Sequence, residues 1–416
     1  MTRVCLVTTS QPSANPRLVK EADALAAAGY DVHVVGAHWV DWATESDARL
    51  LARRRWTMSF VDWRRTVNPA LWWKSRLRQH AALAACRVVG PVRHLDALAL
   101  ARLTPELRRE ARRQPADLFI AHNLGALPVA LDASARYGAA VGFDAEDFHS
   151  GQLSDPGQAF LRRVTESVER RCLPRCDYVT AAAPLIAEAY ERLCDIPRPS
   201  VVLNVFPRAL RPASPASRDA SRVRLYWFSQ TIGPNRGLED AVRALAHLPG
   251  FVELHLRGRW HDGYEARLRR LASDAGVAGT RIVSHPPAHP DELVALAAPM
   301  HVGLALEPPV SENNDILWSN KVFTFILAGV PVALSRTTGQ SALARELGGA
   351  AVTYEPGDAR GLAEALRPWI EQPALHAQAA AVAWQLGDER FNWETEQHAF
   401  LDIVARVLAS RARKAS

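Results

Sequence analysis

The sequence predicts an α/β protein that contains two doubly wound, Rossmann-like domains in a chain of 416 residues. Short apolar segments that suit buried parallel strands alternate with helical segments along nearly the whole chain. Residues 207–221 interrupt this alternation with a segment rich in Pro, Ala, Ser and charge, which is typical of a linker. The length suits two domains of ordinary size and is too great for one hydrophobic core.

The first domain is expected to span residues 1–206. Asn15 and Pro16 open its first helix and Gly29 ends it, which follows the usual preferences at helix ends. Apolar runs bounded by turn residues predict strands at 3–10, 31–37, 117–122, 140–143, 178–182 and 201–205.

The second domain is expected to span residues 222–385, after the linker. Its predicted strands lie at 223–228, 252–256, 281–284, 301–306, 331–334 and 351–354. Residues 386–416 hold a last helix with no strand after it, and we expect this crossover helix to pack back on the N-terminal domain. Ligands of open parallel sheets bind at the carboxyl ends of the strands, so the cleft between the domains is the expected site.

Composition narrows the class of protein. Hydrophobic residues make up 48% of the chain and charged residues 23%, which is typical of a soluble globular protein. No segment approaches a membrane span, and the N-terminus lacks the apolar region of a signal peptide, so a cytoplasmic location is expected. Five scattered cysteines suit a reducing compartment. Cys172 and Cys176 have no second pair to complete a metal site, and no metal is expected.

One basic segment departs from the alternation of strands and helices. Residues 49–113 hold 16 Lys or Arg against 4 Asp or Glu, together with four Trp residues. Residues 70–89 form a basic amphipathic helix candidate that carries Trp72 and Trp73. Such a helix predicts peripheral docking on an anionic membrane. The alternative is a solvated helix whose Trp residues cover the domain core; nucleic-acid binding is not expected, because no reader motif accompanies the charge.

Candidate functional residues of the first domain follow its strands. His122 ends the strand in AHNLGALP, where an imidazole can contact a substrate hydroxyl. A structural His at a helix start is the alternative. Asp144, Glu146, Asp147 and His149 crowd the end of the next strand, and their proximity should perturb at least one pKa. They predict a polar substrate contact, although acids there also suit helix caps. Small polar residues after the first strand, ending at Asn15, could let a sugar or diphosphate approach.

Candidate functional residues of the second domain suggest an anion site. Ser229, Gln230, Gly233 and Arg236 lie in SQTIGPNRG after its first strand, where Gly233 would permit an unusual backbone angle. A guanidinium beside free backbone N–H groups suits a diphosphate. A turn with an exposed Arg is the alternative. A second helix start in this domain carries Asn320 and Lys321, which add N–H groups and a positive charge.

These segments, in this order, resemble a glycosyltransferase of the GT-B fold. They are similar to the retaining glycosyltransferase family 4, also described as glycosyl transferases group 1. The resemblance covers nearly the whole chain and rests on NPRLVKEADALAAAGYDV, DLFIAHNLGALP, SQTIGPNRG, SNKVFTFILAGVPVALS and FNWE. It implies a nucleotide diphosphate sugar donor in the second domain, an acceptor in the first, and no metal or other cofactor.

The resemblance also implies roles for individual residues. His122 matches a His near the transferred sugar, and Gln230 and Arg236 match a basic pair that contacts the donor phosphates. Ile316 and Thr324 fall at the acidic pair, whose second member holds the ribose. Two positions depart from the family: Gln230 replaces the usual Arg, and Thr324 replaces the usual Glu. Asn313, Asn314, Asp315 or Glu307 is expected to take over the sugar and ribose contacts.

The predicted function is therefore transfer of a sugar to a lipid-linked or polysaccharide acceptor in surface polysaccharide assembly. The basic segment 49–113 would hold the protein at the inner face of the cell membrane, beside a membrane-anchored glycolipid acceptor. Two alternatives stay open. One is a catalytically degenerate GT-B protein that serves as a partner or scaffold, which Gln230 and Thr324 motivate. The other is a sugar-nucleotide epimerase of the same fold.

Overall fold

The computed structural model of this chain describes residues 1–92, 94–219 and 221–415. Contacts divide the chain into two compact units, Met1–Val202 with Gln397–Ser416, and Leu203–Glu396. Residues 207–221, which the composition predicts to be a linker, lie within the second unit.

The described part of the first unit has one sheet of seven parallel strands, β1–β7. Their bounds are Arg3–Thr8, Asp31–His38, Thr57–Asp62, Leu118–His122, Ala140–Ala145, Tyr178–Ala181 and Ser200–Val201. The order is β3-β2-β1-β4-β5-β6-β7. Strands β2 and β3 follow β1 toward one edge of the sheet, and β5, β6 and β7 follow β4 toward the other. The strand order therefore reverses between β1 and β4, which is the topological switch point.

Eight described α-helices, α1–α8, belong to this unit. Their bounds are Pro16–Ala27, Asp41–Leu51, Pro69–Val89, Leu95–Leu100, Thr104–Ala111, Leu127–Tyr137, Ala159–Cys172 and Pro184–Cys194. The Asn15 side chain accepts from the Leu18 N–H at 3.1 Å and Pro16 occupies the first helical position, so α1 begins where the sequence predicts.

The described part of the second unit has one sheet of six parallel strands, β8–β13. Their bounds are Val223–Ile232, Val252–Trp260, Ile282–His285, Val302–Ala305, Val332–Ser335 and Ala351–Tyr354. The order is β10-β9-β8-β11-β12-β13, so the switch point lies between β8 and β11.

Nine further described α-helices, α9–α17, follow along the chain. Their bounds are Leu238–Leu245, Tyr264–Asp274, Leu293–Ala297, Glu312–Ile316, Asn320–Leu327, Thr338–Leu347, Ala359–Glu371, Pro373–Glu389 and Trp393–Ala415. The last helix, α17, begins in the second unit and ends in the first. Its Arg411 binds Asp177 at 3.0 Å, so the helix packs on the first unit as predicted.

The predicted fold class is confirmed, since both sheets are parallel and doubly wound. One strand was missed: β3 is an edge strand whose residues are all at least partly exposed, so it lacks the apolar run that marks a buried strand. The prediction at 201–205 was too long, because β7 covers only Ser200–Val201.

Candidate functional site

In the second unit, one close backbone contact lies at the switch point between β8 and β11. Gly237 precedes α9 with φ +70°, and a Cβ placed on it would lie 2.1 Å from the carbonyl oxygen of Leu306. Only glycine fits both this backbone angle and this approach. The start of α9 is therefore held directly against the end of β11.

A buried ion pair lies at the same edge of this sheet. The Lys321 Nζ at the start of α13 binds Oε1 of Glu307, which is 4% exposed and follows Leu306 directly. The Ser335 hydroxyl donates to the Glu307 carbonyl at 2.6 Å and fixes the backbone there. Lys321 was predicted as a cation for the donor, but the structure shows that Glu307 already neutralises much of its charge.

Arg236 is the cation that remains. Its guanidinium is partly buried, and it has no hydrogen-bond or ion-pair partner among the described residues. Since Gly237 touches Leu306 and Lys321 binds Glu307, Arg236 lies at the same sheet edge as that pair. Asn320 is exposed at the first position of α13, where backbone N–H groups are free. The arrangement has the chemistry of an anion site.

Two sequence predictions about this loop need correction. Ser229 and Gln230 do not follow β8 but lie within it, at an irregularity in its pairing with β9 between Phe228 and Thr231. The bulge leaves Gln230 exposed. Gly233 does not have the unusual backbone angle, which belongs to Asn235 and Gly237. The sequence could not show which residue has the positive φ, because either glycine of the motif could adopt it.

Thr324 does not lie where a ribose could reach its side chain directly. It is fully buried in α13, and its hydroxyl has no hydrogen-bond partner among the described residues. Ile316 ends α12 and is partly buried. The two positions that the resemblance assigns to an acidic pair thus contribute no charge here, whereas Glu307 is a buried carboxylate at this edge.

In the first unit, His122 lies inside a buried network of charges. Its Nε2 is 3.2 Å from Glu21 and its Nδ1 is 3.5 Å from Asp144. Arg17 donates to both oxygens of Asp144, at 2.5 and 2.7 Å, and to the Val202 carbonyl at 2.7 Å. His122, Glu21 and Arg17 have no exposed surface. A positioning role for His122 therefore fits the geometry better than direct contact with a substrate.

The pKa shifts follow from this burial. Burial opposes the charged imidazole, but Glu21 and Asp144 outweigh it and raise the pKa of His122. Burial and the nearby Asp144 raise the pKa of Glu21. Burial disfavours the charged form of Asp144 as well, yet Arg17 and His122 hold its pKa below the usual range. The network thus holds a buried Arg, a His with a raised pKa and two carboxyl groups together.

The side chains of Glu21, His122 and Asp144 are close enough together to hold a metal ion. Arg17 already occupies both oxygens of Asp144, and a cation would have to displace it. The donor set therefore suits an ion-pair network better than a metal site. The expectation of a site without metal stays a prediction.

The other residues predicted on the acceptor side have different environments. Asn15 serves as the cap of α1, and Asp144 also accepts from Thr180 at 2.7 Å, so neither faces a ligand. Glu146 and Asp147 are partly buried, and burial together with Asp144 raises the pKa of Glu146 to about 7. His149 lines a cavity, and burial lowers its pKa.

This cavity, of about 530 Å³, lies at the switch point of the first sheet. Thr9 follows β1 and Asn123 follows β4, and their side chains are hydrogen-bonded to each other at 2.9 Å. Trp63 and Arg102 complete the wall from the basic segment. Sequence reasoning placed the site at this edge but missed Arg17, Glu21, Trp63 and Arg102. The spacing of Arg17 and Glu21, one helical turn apart in NPRLVKEADAL, was the available signal.

Comparisons with known proteins agree with the fold. Residues 17–206 match the model of Glycosyltransferase Family 4. HepE from Anabaena, solved in complex with UDP, has a TM-score of 0.69 at 19% identity and covers 98% of this chain and 100% of its own. Sucrose-phosphate synthase from Thermosynechococcus elongatus has a TM-score of 0.72 at 15% identity, covering 99% and 100%.

A third similar structure is TarM from S. aureus, solved as a point mutant with Fondaparinux, alpha-GlcNAc-glycerol and UDP. Its TM-score is 0.69 at 8% identity, and the match covers 97% of this chain and 99% of TarM. No curated protein sequence matches this chain. The chain is a glycosyltransferase with the GT-B fold, and its residues 17–206 match Glycosyltransferase Family 4.

Proposed function

We propose that this glycosyltransferase transfers a sugar from a nucleotide diphosphate donor held by the second unit. The observation that carries the proposal is Arg236 at the start of α9, which has no partner among the described residues and lies at the same sheet edge as the Glu307–Lys321 pair. A leaving diphosphate must be neutralised as the bond to the sugar breaks, and a guanidinium beside free N–H groups does this. The binding of UDP by HepE, which has a similar fold, supports this class of donor.

The pair of Glu307 and Lys321 has a complementary role in this proposal. Glu307 accepts hydrogen bonds from the donor's sugar or ribose, which Thr324 is too short and too buried to reach. Lys321 balances the charge of Glu307 and orients its carboxylate. If the transfer is retaining, the departing phosphate oxygen takes the proton of the acceptor hydroxyl. Such a step requires no strong protein base and no metal. His122 therefore need not contact the substrate, and its role is to position neighbouring groups from its buried place in the first unit.

Replacing Arg236 with Ala should weaken nucleotide diphosphate binding by about 1.5–3 kcal/mol, or about 10- to 150-fold, because one charged hydrogen bond is lost. Calorimetric titration with UDP, GDP and dTDP in buffer containing a chelator measures this and names the base. The matched control is Arg243→Ala, an exposed Arg in the last turn of α9, which should bind like wild type. Equal affinity in all three proteins would remove Arg236 from the donor site.

We further propose that the acceptor is lipid-linked and that α3 docks on the inner face of the cell membrane. This helix exposes Trp73, Leu77 and Val88, with exposed fractions of 56%, 74% and 85%, along one side. Lys74, Arg76 and Arg87 on the same helix are exposed too and suit anionic headgroups; the first two flank this apolar row. No described helix is both long and apolar enough to span a bilayer.

The other Trp residues of the basic segment have structural roles. Trp56 is 3% exposed and donates to Asp23 at 2.8 Å. Trp63 and Trp72 are partly buried beneath Arg102, whose guanidinium carbon lies 4.5 and 5.1 Å from their ring centres. Arg78 binds Glu106 at 2.6 Å and is not free for lipid. Docking therefore rests on the outer face of α3 rather than on the whole segment.

Changing Lys74, Arg76 and Arg87 together to Glu should release the protein from anionic vesicles. Each basic residue near such a surface contributes about 1 kcal/mol, so binding should fall by more than about 100-fold. Flotation with phosphatidylcholine vesicles containing about 30% phosphatidylglycerol measures this. The control changes Arg243, Arg345 and Arg360 of the second unit to Glu, which alters net charge equally. Retention of the α3 variant on the vesicles would contradict the docking proposal.

A further inference from the structure

The residues that line the cavity at the β1/β4 switch point carry an unusual balance of charge. Among the residues that the structure describes, its wall contains Arg102 and no Asp or Glu, and His149 is the other ionisable group that lines it. The rest of the wall is neutral, with polar groups from Thr9, Gln79 and Asn123. A cavity with one cation and no carboxylate attracts an anion.

The structure fixes the Arg102 guanidinium without neutralising it. One nitrogen donates to the Trp72 carbonyl at 2.7 Å and to the Ser75 hydroxyl at 3.3 Å. The guanidinium also lies against the rings of Trp63 and Trp72, with its carbon 4.5 and 5.1 Å from their centres. The Nε is buried and has no hydrogen-bond partner, and no carboxylate lies within ion-pair distance among the residues that the structure describes.

Two other partly buried arginines of the basic segment differ in this respect. Arg64 binds Asp62 at 2.6 Å, and Arg78 binds Glu106 at 2.6 Å. Arg102 alone of these three is left as a partly buried charge beside a cavity. Burial of a charge without a counterion is unfavourable. An oxyanion that binds beside Arg102 would therefore stabilise this charge without displacing a carboxylate that is already paired with it. The stacked Trp rings hold the guanidinium in place, so little order is lost on binding.

We propose that this cavity binds the acceptor through an oxyanion, a carboxylate or a phosphate, that pairs with Arg102. The assignment of the bound molecule as the acceptor rests on the proposed function, whereas the preference for an anion rests on the cavity alone. Gln79, Thr9 and Asn123 provide neutral hydrogen-bonding groups for sugar hydroxyls. The acceptor class is thus an acidic sugar or a sugar phosphate, including a glycolipid whose sugar is attached through phosphate.

Binding of three small probes tests this proposal: methyl glucoside, glucuronate and glucose 1-phosphate, followed by tryptophan fluorescence at equal ionic strength. We expect at least one charged probe to bind wild type about 10- to 100-fold tighter than the neutral one, as for a charged hydrogen bond. Comparison of the affinities for glucuronate and glucose 1-phosphate shows whether the cavity prefers a carboxylate or a phosphate. Arg102→Gln should lose this preference, and Arg102→Lys should keep part of it.

The matched control is Arg109→Gln, an exposed Arg in a separate cavity that several arginines line. It should keep the wild-type preference, which excludes binding of the anions at that surface. Equal affinity of wild type for the three probes, or a preference that survives in Arg102→Gln, would overturn the proposal. Nucleotide titration of the same preparations reports on the second unit separately. An anion preference without nucleotide binding would uphold this cavity while overturning the proposed donor site.

Discussion

Replacing Arg17 with Met is expected to lower the free energy of unfolding by about 3–5 kcal/mol, the cost of breaking a buried ion pair by removing one partner. Arg17 is fully buried and donates to both oxygens of Asp144 and to the Val202 carbonyl. Its Nε is also 3.6 Å from Glu21. Without the guanidinium, Asp144 and Glu21 would remain as buried carboxylates, with the His122 imidazole and the buried Lys20 as the described cations near them.

Urea unfolding followed by circular dichroism measures this loss. The control is Arg198→Met, which removes a 56% exposed Arg paired with Glu191 at 2.8 Å. An exposed pair contributes about 0.2–1 kcal/mol, so this variant should stay near wild type. A loss below about 1 kcal/mol for Arg17→Met would mean that the network is not held by Arg17 as the structure indicates.

Replacing Gly237 with Ala is expected to remove nucleotide binding and to lower stability by about 2–5 kcal/mol. A left-handed backbone angle costs a residue with a Cβ about 1–2 kcal/mol. The new methyl would meet the Leu306 carbonyl oxygen at 2.1 Å, and such overpacking costs about 1–3 kcal/mol more. Relief of the contact would move the start of α9, with Arg236, away from Glu307.

Gly233→Ala, in the same loop, is the matched control. Its added Cβ would approach His261 no closer than 3.4 Å, which is ordinary contact, and Gly233 has no left-handed angle. We expect stability within about 0.5 kcal/mol of wild type and unchanged nucleotide affinity. Similar behaviour of the two variants, in thermal unfolding and in calorimetric titration, would show that the contact of Gly237 with Leu306 does not position the donor site.

Much of the fold could be predicted because its signals are local. Buried parallel strands are continuous apolar runs, and helix ends such as Asn15–Pro16 have their own residue preferences. The edge strand β3 was missed because its residues are partly exposed and lack such a run. Strand ends also predicted that candidate residues from different strands would lie at one edge of a sheet, because topology brings the carboxyl ends of parallel strands together.

The partners of the candidate residues could not be predicted. Arg17 and Asp144 are 127 positions apart in sequence, and their contact depends on how α1 packs against the sheet. Lys321 looked like a free cation at a helix start. Its pairing with Glu307 depends on the distance between the end of β11 and the start of α13, which the sequence does not show. Arg102 was one of 16 basic residues in its segment, and only its packing against Trp63 and Trp72 distinguishes it.

The central claim is transfer of a sugar from a nucleotide diphosphate donor to an acceptor. It is tested most directly by incubating the wild-type protein with labelled UDP-, GDP- and dTDP-sugars and a lipid extract, with a chelator present. We expect release of one nucleoside diphosphate together with a labelled lipid or glycan, and neither product without the extract. Conversion of a donor sugar without any acceptor would instead indicate an epimerase. Absence of both products and of nucleotide binding would contradict the account and favour a non-catalytic partner.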